Sequence, residues 1–137
     1  MKKVSTLLIL SILLLTTTNV LAASDNHVSA NLVPVGNSGI SGKVSVSQMP
    51  GGGSNINVVA HGLTPGVEYV SLYYENHTCE LEPYSEDDVI GAYTADAQGI
   101  GHTHNKLDDD LDEINSISVR LASDFSLVAC ADTHPTP

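Results

Sequence analysis

Asn55-Ile56-Asn57-Val58-Val59-Ala60-His61, then Gly62-Leu63-Thr64-Pro65-Gly66-Val67, then Glu68-Tyr69-Val70-Ser71-Leu72-Tyr73-Tyr74-Glu75, is the stretch that decides the fold. Its first seven residues put Ile56, Val58 and Ala60 on one face and Asn57, Val59 and His61 on the other. That period of two belongs to a half-buried β-strand. The Gly62 to Gly66 segment carries two glycines and a proline, which turn the chain rather than extend it. Glu68 to Glu75 is rich in Tyr and Val, which suit a pleated surface.

Outward from this unit the same signature recurs, and helical periodicity is almost absent after residue 22. Ser29 to Val35 reads as a strand. Lys43 to Ser47 alternates around Val44 and Val46, and Pro50-Gly51-Gly52-Gly53 follows as a turn or flexible loop. Ala92 to Ala95 and Ile100 to Lys106 flank Asp96-Ala97-Gln98-Gly99, a hairpin connection with its glycine late in the turn. Ile114 to Leu121 puts Ile117, Val119 and Leu121 on one face, and a last strand runs from Phe125 to Ala131. Seven or eight short strands at this spacing predict an all-β sandwich, without repeats or a second domain.

The first residues stand apart. Lys2 and Lys3 precede an apolar run from Leu7 to Leu15, and Val20-Leu21-Ala22 offers a cleavage site. Residues 1–22 read as a secretory signal peptide, too short for a stable membrane anchor. The remaining 23–137 form one domain, with ends near 23–28 and 133–137 expected to fray. The short Met-Lys-Lys start has a bacterial character, so the expected destination is the periplasm or the extracellular space.

Beyond that signal only Lys43, Lys106 and Arg120 oppose 16 acids, which leaves −13 with histidines neutral. Such a surface repels nucleic acid and anionic membranes. Cys79 and Cys130 have no C-x-x-C neighbours, and in an oxidising compartment two such cysteines read as a disulfide staple.

Three local patterns, in order, resemble copper/zinc superoxide dismutase. Gly62-Leu63-Thr64-Pro65-Gly66 matches that family's G-L-T-x-G turn before its copper-binding strand. Tyr93-Thr94-Ala95-Asp96-Ala97-Gln98-Gly99-Ile100 matches its V-T-A-D-x-x-G-V hairpin. Leu127-Val128-Ala129-Cys130 is close to its terminal R-L-A-C, and Cys79 stands about where the other disulfide cysteine falls. The resemblance implies a Greek-key β-sandwich and a Cys79–Cys130 bridge.

The departures from that family decide the expected chemistry. The H-x-H pair of copper ligands is replaced by Ser71 and Tyr73. The long loop with the bridging histidine and zinc ligands is cut to Glu80 to Gly91, which holds Asp87 and Asp88 but no histidine. The last copper histidine corresponds to Leu121 or Ala122, and the loop carrying the family's catalytic arginine shrinks to about Ser123 to Phe125. Copper redox chemistry needs several imidazoles converging on one open site. Dismutase activity is therefore not expected, and no cofactor is.

Other constellations remain. His102 and His104, two apart on a strand, share a face and form a candidate copper or zinc pair lacking a third donor. Asp108-Asp109-Asp110-Leu111-Asp112-Glu113 is rich in hard oxygens but lacks the spacing of a calcium loop, and reads as a charged connection. Glu80, Glu82, Glu86, Asp87 and Asp88 form a second acidic loop around Cys79. If Val70 and Leu72 face the core, Tyr69, Ser71 and Tyr73 form an outward row able to meet a protein or glycan partner. Ordinary cross-strand packing is the plainer reading of those tyrosines. No nucleophile elbow or free thiol is present. The sequence thus points to a non-enzymatic binding or interaction module. The alternative is a copper- or zinc-binding protein or divergent metalloenzyme using His102 and His104.

Overall fold

The computed structural model describes residues 26–135. The expected signal segment 1–22 lies outside the described residues. Eight strands follow one another: β1 (His27–Pro34), β2 (Ser41–Gln48), β3 (Ser54–His61), β4 (Glu68–Tyr74), β5 (Val89–Thr94), β6 (Gly101–Leu107), β7 (Ser116–Leu121) and β8 (Leu127–Asp132). Single 3-10 turns at Glu86–Asp88 and Leu111–Glu113 break the two acidic loops. β1 pairs with β2 from His27 onward, and Thr133 is buried; residues 23–25 and 136–137 of the ends expected to fray lie outside the described residues.

The strands form one sheet in the order β5-β4-β7-β8-β1-β2-β3-β6, with every pairing antiparallel. The sandwich expectation is met at the level of an all-β, antiparallel, eight-stranded fold. Its two halves are joined through the end of β1, where Val33 and Pro34 pair with Cys130 and Ala129. The other seam, between β5 and β6, is close but carries no ladder. A Cβ placed on Gly91 would lie 2.3 Å from Thr103 Oγ1, so glycine at 91 is what lets the two edges approach. The result is a nearly closed barrel. After β4, β5 and β6 run consecutively, the 108–115 loop carries the chain back to set β7 beside β4.

Valine and isoleucine, stiff at χ1 and suited to pleated surfaces, fill the interior from alternating positions. Val44, Val46, Ile56, Val58, Ile117 and Val119 are all essentially inaccessible. One end of the barrel is closed by the two motifs around Gly62 and Gly99. Leu63 N–H donates to Gly99 O at 3.0 Å, Gly66 N–H to Ala95 O at 2.9 Å and Ala95 N–H to Val67 O at 3.0 Å. Leu63 and Ala95 are buried there. Gly99 has φ +73°, and a Cβ on it would sit 2.5 Å from Leu63 O, so this contact needs glycine.

β4 breaks the alternation, because every residue from Tyr69 to Tyr74 is buried. Tyr69 and Tyr73 join the main core, whereas Val70, Leu72 and Tyr74 form a second cluster with Cys79 on the opposite face. The segment after β4 folds over that face and is held by the Cys79–Cys130 disulfide. The outward row expected at Tyr69, Ser71 and Tyr73 is therefore corrected: those residues point into the barrel. Period-two alternation fixes which residues share a face, but with both faces of β4 buried it does not say which set faces the barrel interior. Inward hydroxyls are tolerated because each is bonded. Tyr69 Oη accepts from Thr64 N–H at 3.0 Å, and Ser71 Oγ and Tyr93 Oη share a 2.8 Å bond.

Candidate functional site

The covered outer face of β4 and β7 supports the most elaborate polar arrangement in the molecule. β7 presents Ser116, Ser118 and Arg120 to it, all buried. Ser116 Oγ accepts from Cys79 N–H at 3.1 Å, and Ser118 Oγ bonds Tyr74 Oη at 2.8 Å. The Arg120 guanidinium donates to Tyr74 Oη at 2.9 Å, Phe125 O at 2.7 Å and Cys79 O at 2.8 Å. Cys79 (φ +55°) and Phe125 (φ +65°) are the two non-glycine residues with left-handed backbone among the described residues. Their carbonyls are the two that Arg120 clamps. Left-handed backbone costs about 1–2 kcal/mol per non-glycine residue, so the guanidinium offsets strain at both ends of its reach.

This clamp displays an aromatic surface. Arg120 lies over the Phe125 ring at 5.4 Å, and Tyr84 stacks on Phe125 with centroids 5.8 Å apart and planes 11° from parallel. Tyr84 remains 50 % exposed and Leu81, on the same short stretch, 54 %. Exposed carboxylates flank the patch in sequence at Glu80, Glu86, Asp87 and Asp124. Ser126 donates to Asp124 from its hydroxyl and its amide, which holds that carboxyl below the usual range.

A second feature adjoins the first loop. Tyr73 Oη, leaving the core, donates toward Asp88 Oδ1 at 2.8 Å and lies in hydrogen-bond contact with Asp109 Oδ2. Burial, then the bonds to Asp109 and Asp88, hold this phenol far above its ordinary range. The shared tyrosine ties the two acidic loops together beside a cavity of about 230 Å³ lined by Tyr73, Glu75, Glu82, Pro83, Asp88 and Asp109. Burial also pushes the Tyr93 phenol up to about 12, against the bond to Ser71, which lowers it. The Asp108–Glu113 stretch is anchored as well. Asp110 Oδ1 accepts from Gln48 Nε2 at 2.7 Å and Gly53 N–H at 2.9 Å, which lowers its carboxyl.

His102 and His104 lie on the outer face of β6, opposite Val59 and Asn57 of β3, and both are exposed. They share a face as the spacing requires. Among the described residues no group of three or more His, Cys, Asp or Glu side chains converges to hold a metal ion, there or elsewhere. Of the other residues named from the sequence, Cys79 and Cys130 are bonded to each other.

Two features were not read from the sequence. The aromatic patch joins Tyr84 to Phe125 from distant loops. Its signals were two apolar residues inside an acidic stretch and a solitary arginine within a strand. The other is charge segregation. None of β1, β2, β3 and β6 carries an Asp or Glu, while these strands hold His27, His61, His102, His104, Lys43 and Lys106. Every carboxylate among the described residues lies on the other strands or in loops.

The chain matches no protein-family model and no curated protein at a significant level.

Proposed function

We propose that this chain is an exported binding module on a superoxide dismutase-like Greek-key barrel, without dismutase activity and without a resident metal. The observation that carries this reading is Tyr73. It stands where the resemblance would put a copper-binding histidine, and its hydroxyl is committed to Asp88 and Asp109. Ser71, at the companion position, is buried and bonded to Tyr93. Leu121, one of the two positions matching the last copper histidine, pairs with Tyr69 across β7 and β4. Hydroxyl and alkyl groups at these positions offer copper no imidazole nitrogen.

The strand path supports the Greek-key reading, since β7 returns to lie beside β4 after three consecutive strands. The contact between the Gly62–Gly66 and Ala95–Gly99 motifs, together with the Cys79–Cys130 bridge, supports the family resemblance. The disulfide also favours export to an oxidising compartment, periplasmic or extracellular, in line with the segment at 1–22. Function then resides in surface contacts with a protein or glycan partner, and the half-exposed Tyr84 and Leu81 are the contact residues. Superoxide consumption after incubation with copper and zinc is the test. We expect a rate equal to the buffer with the same free metals removed. Catalysis lost on changing His102 or His104 would overturn the reading in favour of a divergent metalloenzyme.

A further inference from the structure

Resting on that reading, we propose that the Leu81–Tyr84–Phe125 patch is a docking site for a cationic amphipathic peptide, one that pairs lysine or arginine with aromatic or aliphatic side chains. The geometry asks for both properties at once. Leu81 and Tyr84 are two of the five exposed large hydrophobic residues among the described residues, and they stand three positions apart in one loop. Tyr84 is pre-ordered by its stack on Phe125, which Arg120 fixes from behind through the Phe125 carbonyl and ring. A rigid aromatic anchor loses little rotamer freedom on binding and serves as an interface hot spot.

The charge around the patch sets the sign of the occupant. Glu80, Glu86, Asp87 and Asp124 are exposed and stand within three residues of Leu81, Tyr84 or Phe125 in sequence, and Lys106 lines a cavity with Glu86 and Asp87. With 16 acids against five lysines and arginines in the whole sequence, the patch lies in a negative field that attracts a cation. A lysine or arginine head meeting Tyr84 gains a cation–π contact as well as the carboxylates. A neutral apolar partner leaves those carboxylates desolvated without a counter-charge, which is unfavourable.

The chain has no tryptophan, so the fluorescence of a single tryptophan in a synthetic lysine-rich amphipathic peptide reports binding without background. The exported protein with the disulfide intact is titrated at low ionic strength. The expected result is a saturable, one-to-one blue shift, weakened by salt. Leu81→Ser with Tyr84→Ala should weaken binding roughly tenfold, the usual effect of losing hot-spot side chains. Val33→Ser, an exposed apolar position on β1, should leave it unchanged. Both altered residues are half exposed, and an unchanged melting temperature shows that the variant has kept its fold. Equal binding by the double variant, or by a peptide of the same charge with serines for its apolar residues, would overturn the proposal, as would no binding at all. Such failure in a protein that stays free of copper and zinc removes the peptide assignment alone. Retained stoichiometric metal removes the module reading instead.

Discussion

Arg120 on β7 ties the neighbouring β4 to two loops outside the sheet, those of Cys79 and Phe125. Its three donors reach Tyr74, Cys79 and Phe125, and two of those acceptors are carbonyls of residues in left-handed backbone. A lysine in its place has one compact charge and lacks the planar fork that meets three acceptors at once. Arg120→Met should cost about 3 kcal/mol, because it leaves buried carbonyls without donors and frees both strained residues. Arg120→Lys should recover little of that loss. Urea unfolding of the three proteins measures both effects. An Arg120→Met variant as stable as the parent would show that the clamp is incidental.

At the scale of elements, the β5–β6 seam and the Cys79–Cys130 bridge both hold the barrel in shape, and each has its own test. The β5–β6 seam depends on Gly91. Gly91→Ala drives a methyl against Thr103 and should cost about 1–3 kcal/mol, as overpacking does. Thr103→Ala in the same chain should return part of that, and a double-mutant cycle reads the coupling. The disulfide seam ties the loop after β4 to β8 across a sequence separation of 51. Reduction should lower stability by about 4 kcal/mol in the chain-entropy picture, and the oxidised protein should show no titratable thiol. Two free thiols in protein from its native compartment would contradict the bridge.

The elements also show how far sequence reading reaches. Period-two alternation located β2, β3 and β7 because each has one face in the main core and valine or isoleucine to mark it. β4 resists, since Val70, Leu72 and Tyr74 on one face and Tyr69 and Tyr73 on the other leave no contrast of the kind that Ser116, Ser118 and Arg120 give the equally buried β7. The conditional outward row at Tyr69, Ser71 and Tyr73 therefore does not hold, and the packing reading does. The burial of the second face comes from a covering loop and a disulfide, which are tertiary facts. The pairing of His102 with His104 on one exposed face was legible from spacing alone. The Tyr84–Phe125 stack was not, because its partners come from separate loops brought together by Arg120. The lysine- and histidine-bearing half was equally hidden, being spread over four strands.

For the whole molecule, buried phenols make alkaline pH the revealing condition. Tyr93 rises to about 12 on burial, and Tyr73 is held higher still by burial and its carboxylate partners. An unfolded tyrosine ionises near pH 10. Below that pH both states keep their protons and the contribution is constant. Above it the unfolded chain loses protons that the folded chain retains, so stability falls as pH climbs from about 10 toward 12. Urea midpoints across that range should decline, and ultraviolet absorbance of phenolate should show part of the tyrosines ionising only with unfolding. Ionisation of all five tyrosines in the folded protein near pH 10 would contradict their buried, bonded placement.

The central proposal is a dismutase-like barrel without a metal centre. Elemental analysis of untagged protein, after incubation with copper and zinc and removal of free ions, tests it most directly. A binding module with Tyr73 and Ser71 in place of ligands should retain neither metal in stoichiometric amount. One copper or zinc ion per chain, lost on changing His102 and His104, would contradict the claim and make the exposed pair of β6 the functional site.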